Sequence, residues 1–265
     1  MLLVIDCGNT NVVFAVYDGE TLRGQWRAAT KTERTSDEFG IWLMELLERD
    51  GIEPARITAA IVASVVPARN FDLGRMCEKY FKCKARFIGE PGLDLGTQVR
   101  VDNPKEVGAD RVINAIAAHA SYGGPLIIID FGTATTFDVV DASGAYCGGC
   151  IAPGINLSME ALHMATAQLP RLPVVNPGKA PVVGTTTVAA MTSGVFWGYI
   201  GLIEGLVARI KAERESLEKR KMTVIGTGGL APLFAEATAV IEHIDHDLTL
   251  RGLLQFHKRN TKYLN

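Results

Sequence analysis

Along this chain, apolar residues come in short runs that stop at the same kind of polar break. In LLVIDCGNTNVVFAVYDG (2–19) an apolar run reaches Asp6, crosses Gly8, Asn9 and Thr10, and resumes from Val12 to Tyr17 before Asp18-Gly19. PLIIIDFGTATTFDVVDASG (125–144) repeats the plan, with apolar residues into Asp130, a second run from Phe137 to Val140, and a closing Ala142-Ser143-Gly144. Apolar runs of this length, joined by a short glycine-containing break, predict a β-hairpin with Asp at the end of its first strand.

The repetition extends past the hairpins. ITAAIVASVVPARNFDLGRMCEKYF (57–81) predicts a strand, a short turn and an amphipathic helix opening near Pro67. MTVIGTGGLAPLFAEATAVI (222–241) predicts the same order with Pro232 near the helix start, where a missing N–H costs nothing. A helical pattern precedes the strand in each half. In the first half it covers 36–50: Thr35 and Glu38 have capping-box spacing, Phe39, Trp42, Leu43, Leu46 and Leu47 mark one face, and Gly51 ends it. The chain therefore reads as α/β, with two duplicated halves over 1–117 and 118–265. Their join falls near the helix RVINAIAAHA (111–120) and Gly123-Gly124, with no low-complexity linker, which predicts a packed interface and a cleft.

Composition narrows the class. The 265 residues suffice for two small domains, and 48% hydrophobic with 21% charged residues is ordinary for a soluble globular protein. A formal net charge of −2 gives no electrostatic case for nucleic acid or an anionic membrane. Asp6 interrupts the opening apolar run and no basic residue precedes it, so the N-terminus does not read as a secretory signal. Five scattered cysteines, an odd number, fit a reducing compartment and predict a cytoplasmic protein. Residues 180–203 carry no charge, but Thr185, Thr186, Thr187 and a Ser-Gly interruption shorten the strictly apolar part, so a buried helix is predicted rather than a membrane span. Within helix 188–205, Gly194 and Gly198, then Gly201 and Gly205, lie four apart and would let another helix approach, in the core or across a dimer.

The turns have chemistry to offer. A glycine turn brings backbone N–H groups close to a phosphate without a Cβ in the way, and Thr or Asn side chains add donors. An adjacent Asp repels phosphate but holds a cation against it. GTGGLAP (226–232) adds a glycine-rich strand-to-helix turn whose N–H groups favour an anion. It matches neither the P-loop nor the dinucleotide fingerprint. Between the halves, VDNPKEVGADRVINAIAAHA (101–120) predicts a helix opening at about Asp110, where a carboxylate caps the helix and is held ionised by its dipole.

Five motifs occur in one order: D-x-G-N-T (6–10), D-N-P-x-E-x-G-A-D-R (102–111), D-F-G-T-A-T-T (130–136), G-G-x-I-A-P-G (148–154) and T-G-G-L-A (227–231). With the closing D-L-T-L-R-G-L (247–253), the set resembles the type III pantothenate kinases, within the superfamily of actin, hexokinase and the Hsp70 ATPase domain. That resemblance covers essentially the whole chain. It implies two actin-like (ribonuclease H-like) domains with an ATP cleft between them, and an ATP-dependent phosphotransferase acting on the primary hydroxyl of pantothenate in coenzyme A biosynthesis. It also implies residue roles. Asp6, Gly8, Asn9, Thr10 and Asn11 would hold the ATP phosphates, Asp6 positioning Mg²⁺, with Thr133, Gly228 and Gly229 also contacting ATP. Asp110 would be the general base, Gly108, Ala109, Arg111 and Thr187 would bind pantothenate, and Asp130 would hold a monovalent cation, K⁺ or NH₄⁺. Members of the family are homodimers.

One position departs from the family pattern: Val101 stands where many members carry a tyrosine that touches pantothenate. Two other readings fit the same motifs, a kinase or phosphatase of another small alcohol or polyphosphate, and a non-catalytic nucleotide-binding regulator. Retention of Asp110 and Asp130, with the G-A-D-R loop, argues against both. Cys147 and Cys150 have metal-ligand spacing but no second pair, and read as small core residues.

Overall fold

The computed structural model describes residues 1–30 and 33–261. Its strands are β1 (Leu2–Cys7), β2 (Asn11–Asp18), β3 (Thr21–Ala29), β4 (Ala59–Ser64), β5 (Ala85–Phe87), β6 (Leu126–Phe131), β7 (Ala134–Val140), β8 (Tyr146–Pro153), β9 (Thr223–Thr227) and β10 (His243–Ile244). Its helices are α1 (Ser36–Arg49), α2 (Pro67–Phe81), α3 (Ala109–Tyr122), α4 (Ile155–Met164), α5 (Thr187–Glu218), α6 (Ala231–Ala235) and α7 (Leu248–Asn260). The chain divides into two units. The first comprises Met1–Gln98, Asp102–Ala117 and the segment from Asp247, and the second comprises Val99–Val101 and Ala118–His246.

In the first unit the sheet runs β3-β2-β1-β4-β5, with β1 antiparallel to β2 and parallel to β4. Strand β1 is apolar on both sides because both sides are covered. Its period of two sends Leu3, Ile5 and Cys7 to one face, packed with Phe14, Phe39, Leu43, Leu73 and Met76 beneath α1 and α2. Helix α1 has the predicted capping box, the Glu38 N–H donating to Thr35 Oγ1 at 3.3 Å and the Thr35 N–H to Glu38 Oε2 at 2.7 Å. Pro67 opens α2 as predicted. Leu2 and Val4 face the other way, with Tyr17 and Ile61, against Ile113 of α3 and Leu250, Leu253, Leu254 and Phe256 of α7.

The second unit repeats this order as β8-β7-β6-β9-β10, again antiparallel on one side of the central strand and parallel on the other. Ile127, Ile129, Phe131, Phe137 and Val224 pack against Ile155 of α4, Ile200, Ile203 and Val207 of α5, and Phe234 of α6. Phe234 is the centre of an aromatic group, its ring 4.9 Å from Phe131, 5.0 Å from Tyr199 and 5.9 Å from Phe196. In β8, Gly149 passes so close to β7 that a Cβ there would meet the Phe137 carbonyl oxygen at 1.8 Å. This pair of duplicated ribonuclease H-like sheets is the predicted fold class.

Three details depart from the sequence expectations or add to them. Residues 247 onward were expected in the second half, but α7 belongs to the first unit. The apolar second face of β1 and β4 needs a cover, and α7 provides it at close quarters: a Cβ on Gly252 would lie 2.5 Å from the Ile113 carbonyl oxygen. Helix α5 runs unbroken from the glycine-rich stretch 188–205 to Glu218, so the alternating charges from Lys211, read from the sequence as a solvated helix face, belong to the same helix, with Arg214 and Glu218 half-buried. Helix α6 has five residues, far shorter than its counterpart α2.

Assignment of α7 to the first unit predicts the effect of Leu253→Ala. The mutation empties a fully buried site and should lower the unfolding free energy by about 2–5 kcal/mol. Hydrogen exchange should accelerate in β1 and β4 rather than in β6; acceleration confined to β6 would contradict the assignment.

Candidate active site

Parallel strands end side by side, and turns that follow such ends are where open α/β sheets bind ligands. In the first unit these are the ends of β1 and β4. Asp6, half-buried, is the penultimate residue of β1 and is flanked in register by Val13 of β2 and Ala63 of β4. The turn beyond it is closed by the Gly8 N–H donating to the Asn11 carbonyl at 3.0 Å. Thr30, just past β3, braces it twice: its N–H donates to the Thr10 carbonyl at 2.9 Å and its hydroxyl to the Gly8 carbonyl at 2.7 Å. Asn9 and Thr10 are exposed at the tip. Cys7 points the other way, into the core, and burial pushes its thiol up to about 11, with Ser64 hydrogen bonding opposing the rise and Asp6 adding to it.

Asp110 reaches the same end of the sheet through Val65. The Val65 N–H donates to the Cys7 carbonyl at 3.1 Å, and Val65 Cγ1 is 3.5 Å from where a Cβ on Gly108 would stand. Gly108 must lack that Cβ, which would also lie 2.5 Å from Asp110 Oδ1. Helix α3 opens one residue before the predicted start, at Ala109. Asp110 is thus a first-turn residue, and its Oδ1 accepts the Arg111 backbone N–H at 2.8 Å. That position places a carboxylate against the positive end of the helix dipole. Arg111 follows in the same turn, half-buried like Asp110.

In the second unit the corresponding ends belong to β6 and β9. Asp130 is flanked in register by Thr136 of β7 and Thr227 of β9. The Gly132 N–H donates to the Ala134 carbonyl and the Gly154 N–H to the Thr133 carbonyl, each at 3.1 Å. Gly228 has a left-handed φ of 86°, and a Cβ there would lie 2.7 Å from Asp130 Oδ1 and 2.8 Å from the Phe131 nitrogen. Asp130 and Gly228 thus share one small space, with Thr133 exposed on the adjoining turn and Gly229 exposed in open space. Thr187 is exposed at the first position of α5, whose cap is Thr186, the side chain accepting the Ala189 N–H at 3.2 Å. Val101 Cγ1 lies 3.6 Å from where a Cβ on Gly148 would stand.

Sequence reasoning passed over Val65 and Thr30. Their only signal was position, directly after β4 and after β3, where a strand delivers its next residue to the neighbouring turn. Cys147 and Cys150 are half-buried against the second unit's core, and the Cys147 thiol lies 3.7 Å from Asp141 Oδ2. Among the described residues no group of three or more His, Cys, Asp or Glu side chains is placed to hold a metal ion.

Comparison with known proteins points one way. A family model described as type III pantothenate kinase matches residues 2–209. A type III pantothenate kinase of Paramagnetospirillum magneticum is 63% identical over 261 residues, covering 98% of both chains. That of Rhodospirillum rubrum is 59% identical over 260 residues, covering 98% of this chain and 99% of its own. Among solved structures, a conserved protein of Campylobacter jejuni described as a Baf family transcriptional activator aligns with a TM-score of 0.60 at 20% identity. The alignment covers 98% of this chain and 99% of that one, a likeness of fold alone.

The two glycines of the second-unit turn should respond differently to a methyl group. Gly228→Ala is expected to lower the unfolding free energy by about 2–4 kcal/mol, combining overpacking against Asp130 with a left-handed backbone. Gly229→Ala, with nothing within 4 Å, should stay within about 0.5 kcal/mol of wild type. Urea unfolding of the two variants side by side checks this; equal effects would contradict the geometry.

Proposed function

The chain belongs to the type III pantothenate kinase family, and from that premise we propose how its residues move a phosphoryl group from ATP to pantothenate, the first step of coenzyme A biosynthesis. The observation that supports the proposal is the link from the end of β1 through Val65 to Gly108, whose absent Cβ leaves room for the Asp110 carboxylate at the opening of α3.

Gly8, Asn9, Thr10 and Asn11 hold the ATP phosphates through N–H groups and side-chain donors; within the second unit, the residues assigned to ATP are Thr133, Gly228 and Gly229. Asp6 fits Mg²⁺, being a hard oxygen donor next to a glycine turn. Mg²⁺ bound there would neutralise charge developing on the phosphate oxygens. Asp130 fits a monovalent cation, K⁺ or NH₄⁺, because the space beside its Oδ1 is one that a Cβ on Gly228 would fill.

Asp110 is the general base. It takes the proton from the primary hydroxyl of pantothenate as that oxygen attacks the γ-phosphorus. The bond from the γ-phosphorus to the β–γ bridging oxygen breaks, and ADP leaves. Little covalent chemistry is needed, so positioning and charge stabilisation supply most of the rate. Gly108, Ala109 and Arg111 line the pantothenate site, where the Arg111 guanidinium offers a fork of donors to an oxyanion. Thr187 adds a hydroxyl to the substrate. Val101, lacking the hydroxyl of the family's usual tyrosine, contributes contact only.

The reading extends to a homodimer that works in the cytoplasm. In α5, a Cβ added to Gly194, Gly198 or Gly201 would meet nothing within 4 Å among the described residues, so these glycines serve no close packing there. They lie on an exposed face that a second helix could approach closely. The opposite face of α5, long and apolar enough to cross a membrane by length and composition, carries Phe196, Ile200 and Ile203 into the core.

Two measurements test this. Purified protein with Mg-ATP should release ADP only when pantothenate is present, faster in potassium than in sodium buffer, and Asp110→Asn should lower kcat about a hundredfold or more. ATP binding without pantothenate-dependent release would overturn the kinase assignment of these residues. For the dimer, Gly198→Leu should keep the fold, judged by circular dichroism, and sediment as a monomer; a variant that still sediments with the wild-type mass would exclude this face.

A further inference from the structure

The two turns are closed by the same backbone bond but not by the same side chain. Thr30, the residue after β3, donates its N–H to the Thr10 carbonyl at 2.9 Å, and Gly154, the residue after β8, donates its N–H to the Thr133 carbonyl at 3.1 Å. In the second unit the brace ends there, because a Cβ on Gly154 would lie 2.6 Å from the Gly132 carbonyl oxygen. In the first unit the equivalent position has a side chain, and its half-buried hydroxyl donates to the Gly8 carbonyl at 2.7 Å.

The first turn is also the longer one. Register pairs Cys7 with Val12 but Phe131 with Thr135, so residues 8–11 form one connection and residues 132–134 the other. An extra residue brings two more soft dihedral angles, and Thr30 takes up that freedom by fixing two peptide planes, Gly8–Asn9 and Thr10–Asn11. The C=O and N–H of a trans peptide point in opposite directions. Aiming the Gly8 carbonyl at Thr30 therefore turns the Asn9 N–H away from Thr30. The Thr10 carbonyl, held by the Thr30 N–H, turns the Asn11 N–H to the β1 side, where the Asn11 carbonyl accepts the Gly8 N–H.

We propose that Thr30 is a positioning residue for ATP: its hydroxyl and N–H together fix the turn so that the Asn9 N–H is held in the orientation that receives a phosphate. Thr30 itself touches no substrate. The inference rests on the reading of residues 8–11 as the phosphate turn, which Asp6→Asn tests separately.

The experiment is a steady-state comparison of wild type, Thr30→Val, Thr30→Ser and Asp6→Asn, with thermal midpoints for each. Valine keeps the shape and removes the donor, leaving the Gly8 carbonyl unpaired, and serine restores the donor. Thr30→Val should raise the KM for ATP about five- to tenfold, the scale of one lost hydrogen bond, and change the KM for pantothenate less than about twofold. Thr30→Ser should stay within about twofold of wild type for both. The proposal is overturned if Thr30→Val leaves the ATP KM unchanged while Asp6→Asn is impaired. It is also overturned if Thr30→Val lowers the thermal midpoint and raises both KM values together with no rescue by serine, since that describes a residue holding up the fold. If Asp6→Asn behaves as wild type, the phosphate-turn reading fails first and the role of Thr30 falls with it.

Discussion

Parallel pairing of β1 with β4, and of β6 with β9, is the constraint from which the rest follows. Parallel neighbours run in the same direction, so their carboxyl ends lie together and every turn that leaves them leaves from one edge. Parallel pairing also requires a crossover, and crossover helices must lie on the faces of the sheet. The acidic residues Asp6 and Asp130 are therefore penultimate on central strands, held in register by a strand on each side. Their positions are fixed by backbone hydrogen bonds, whatever the turn beyond them does.

Much of this was legible in the sequence because it is written in local signals. An apolar run that meets Asp and Gly must turn, and the same run twice means the same turn twice. The capping box of α1 and the proline of α2 are likewise local, and the structure has both. The partner of α7 was not legible. Its periodicity marks Leu250, Leu253 and Leu254 as an apolar face, but no period says which sheet that face will cover. Thr30 was hidden for a related reason. In sequence it is one threonine after a strand, and its importance comes from the carbonyl of a residue more than twenty positions away. Asp110 was visible as a helix start, while its link to the end of β1 runs through Val65, an apolar residue with no motif of its own.

The glycines sort into two physical kinds that look alike in the sequence. At Gly108, Gly154 and Gly228 a Cβ would collide with a carboxylate or a carbonyl, so these positions exist to let polar atoms come close. At Gly194, Gly198 and Gly201 a Cβ would meet nothing within 4 Å among the described residues. The first kind shapes a turn from within. The second leaves a smooth helical surface, whose cost in helix propensity, about 1 kcal/mol per glycine relative to alanine, is not offset by close packing against the described residues.

The discontinuity of the first unit has a consequence for how the protein is made. Its sheet is complete once Phe87 has been synthesised, yet among the described residues the face with Leu2, Val4, Tyr17 and Ile61 is covered by Ile88, Leu93, Leu95 and α3 and, last of all, by α7. Between those events the ribosome must produce the entire second unit, so the earlier unit is finished later. A nascent chain of this kind keeps the share of that face that belongs to α7 uncovered until the end of translation, and exposed apolar surface of that kind is what chaperones shield.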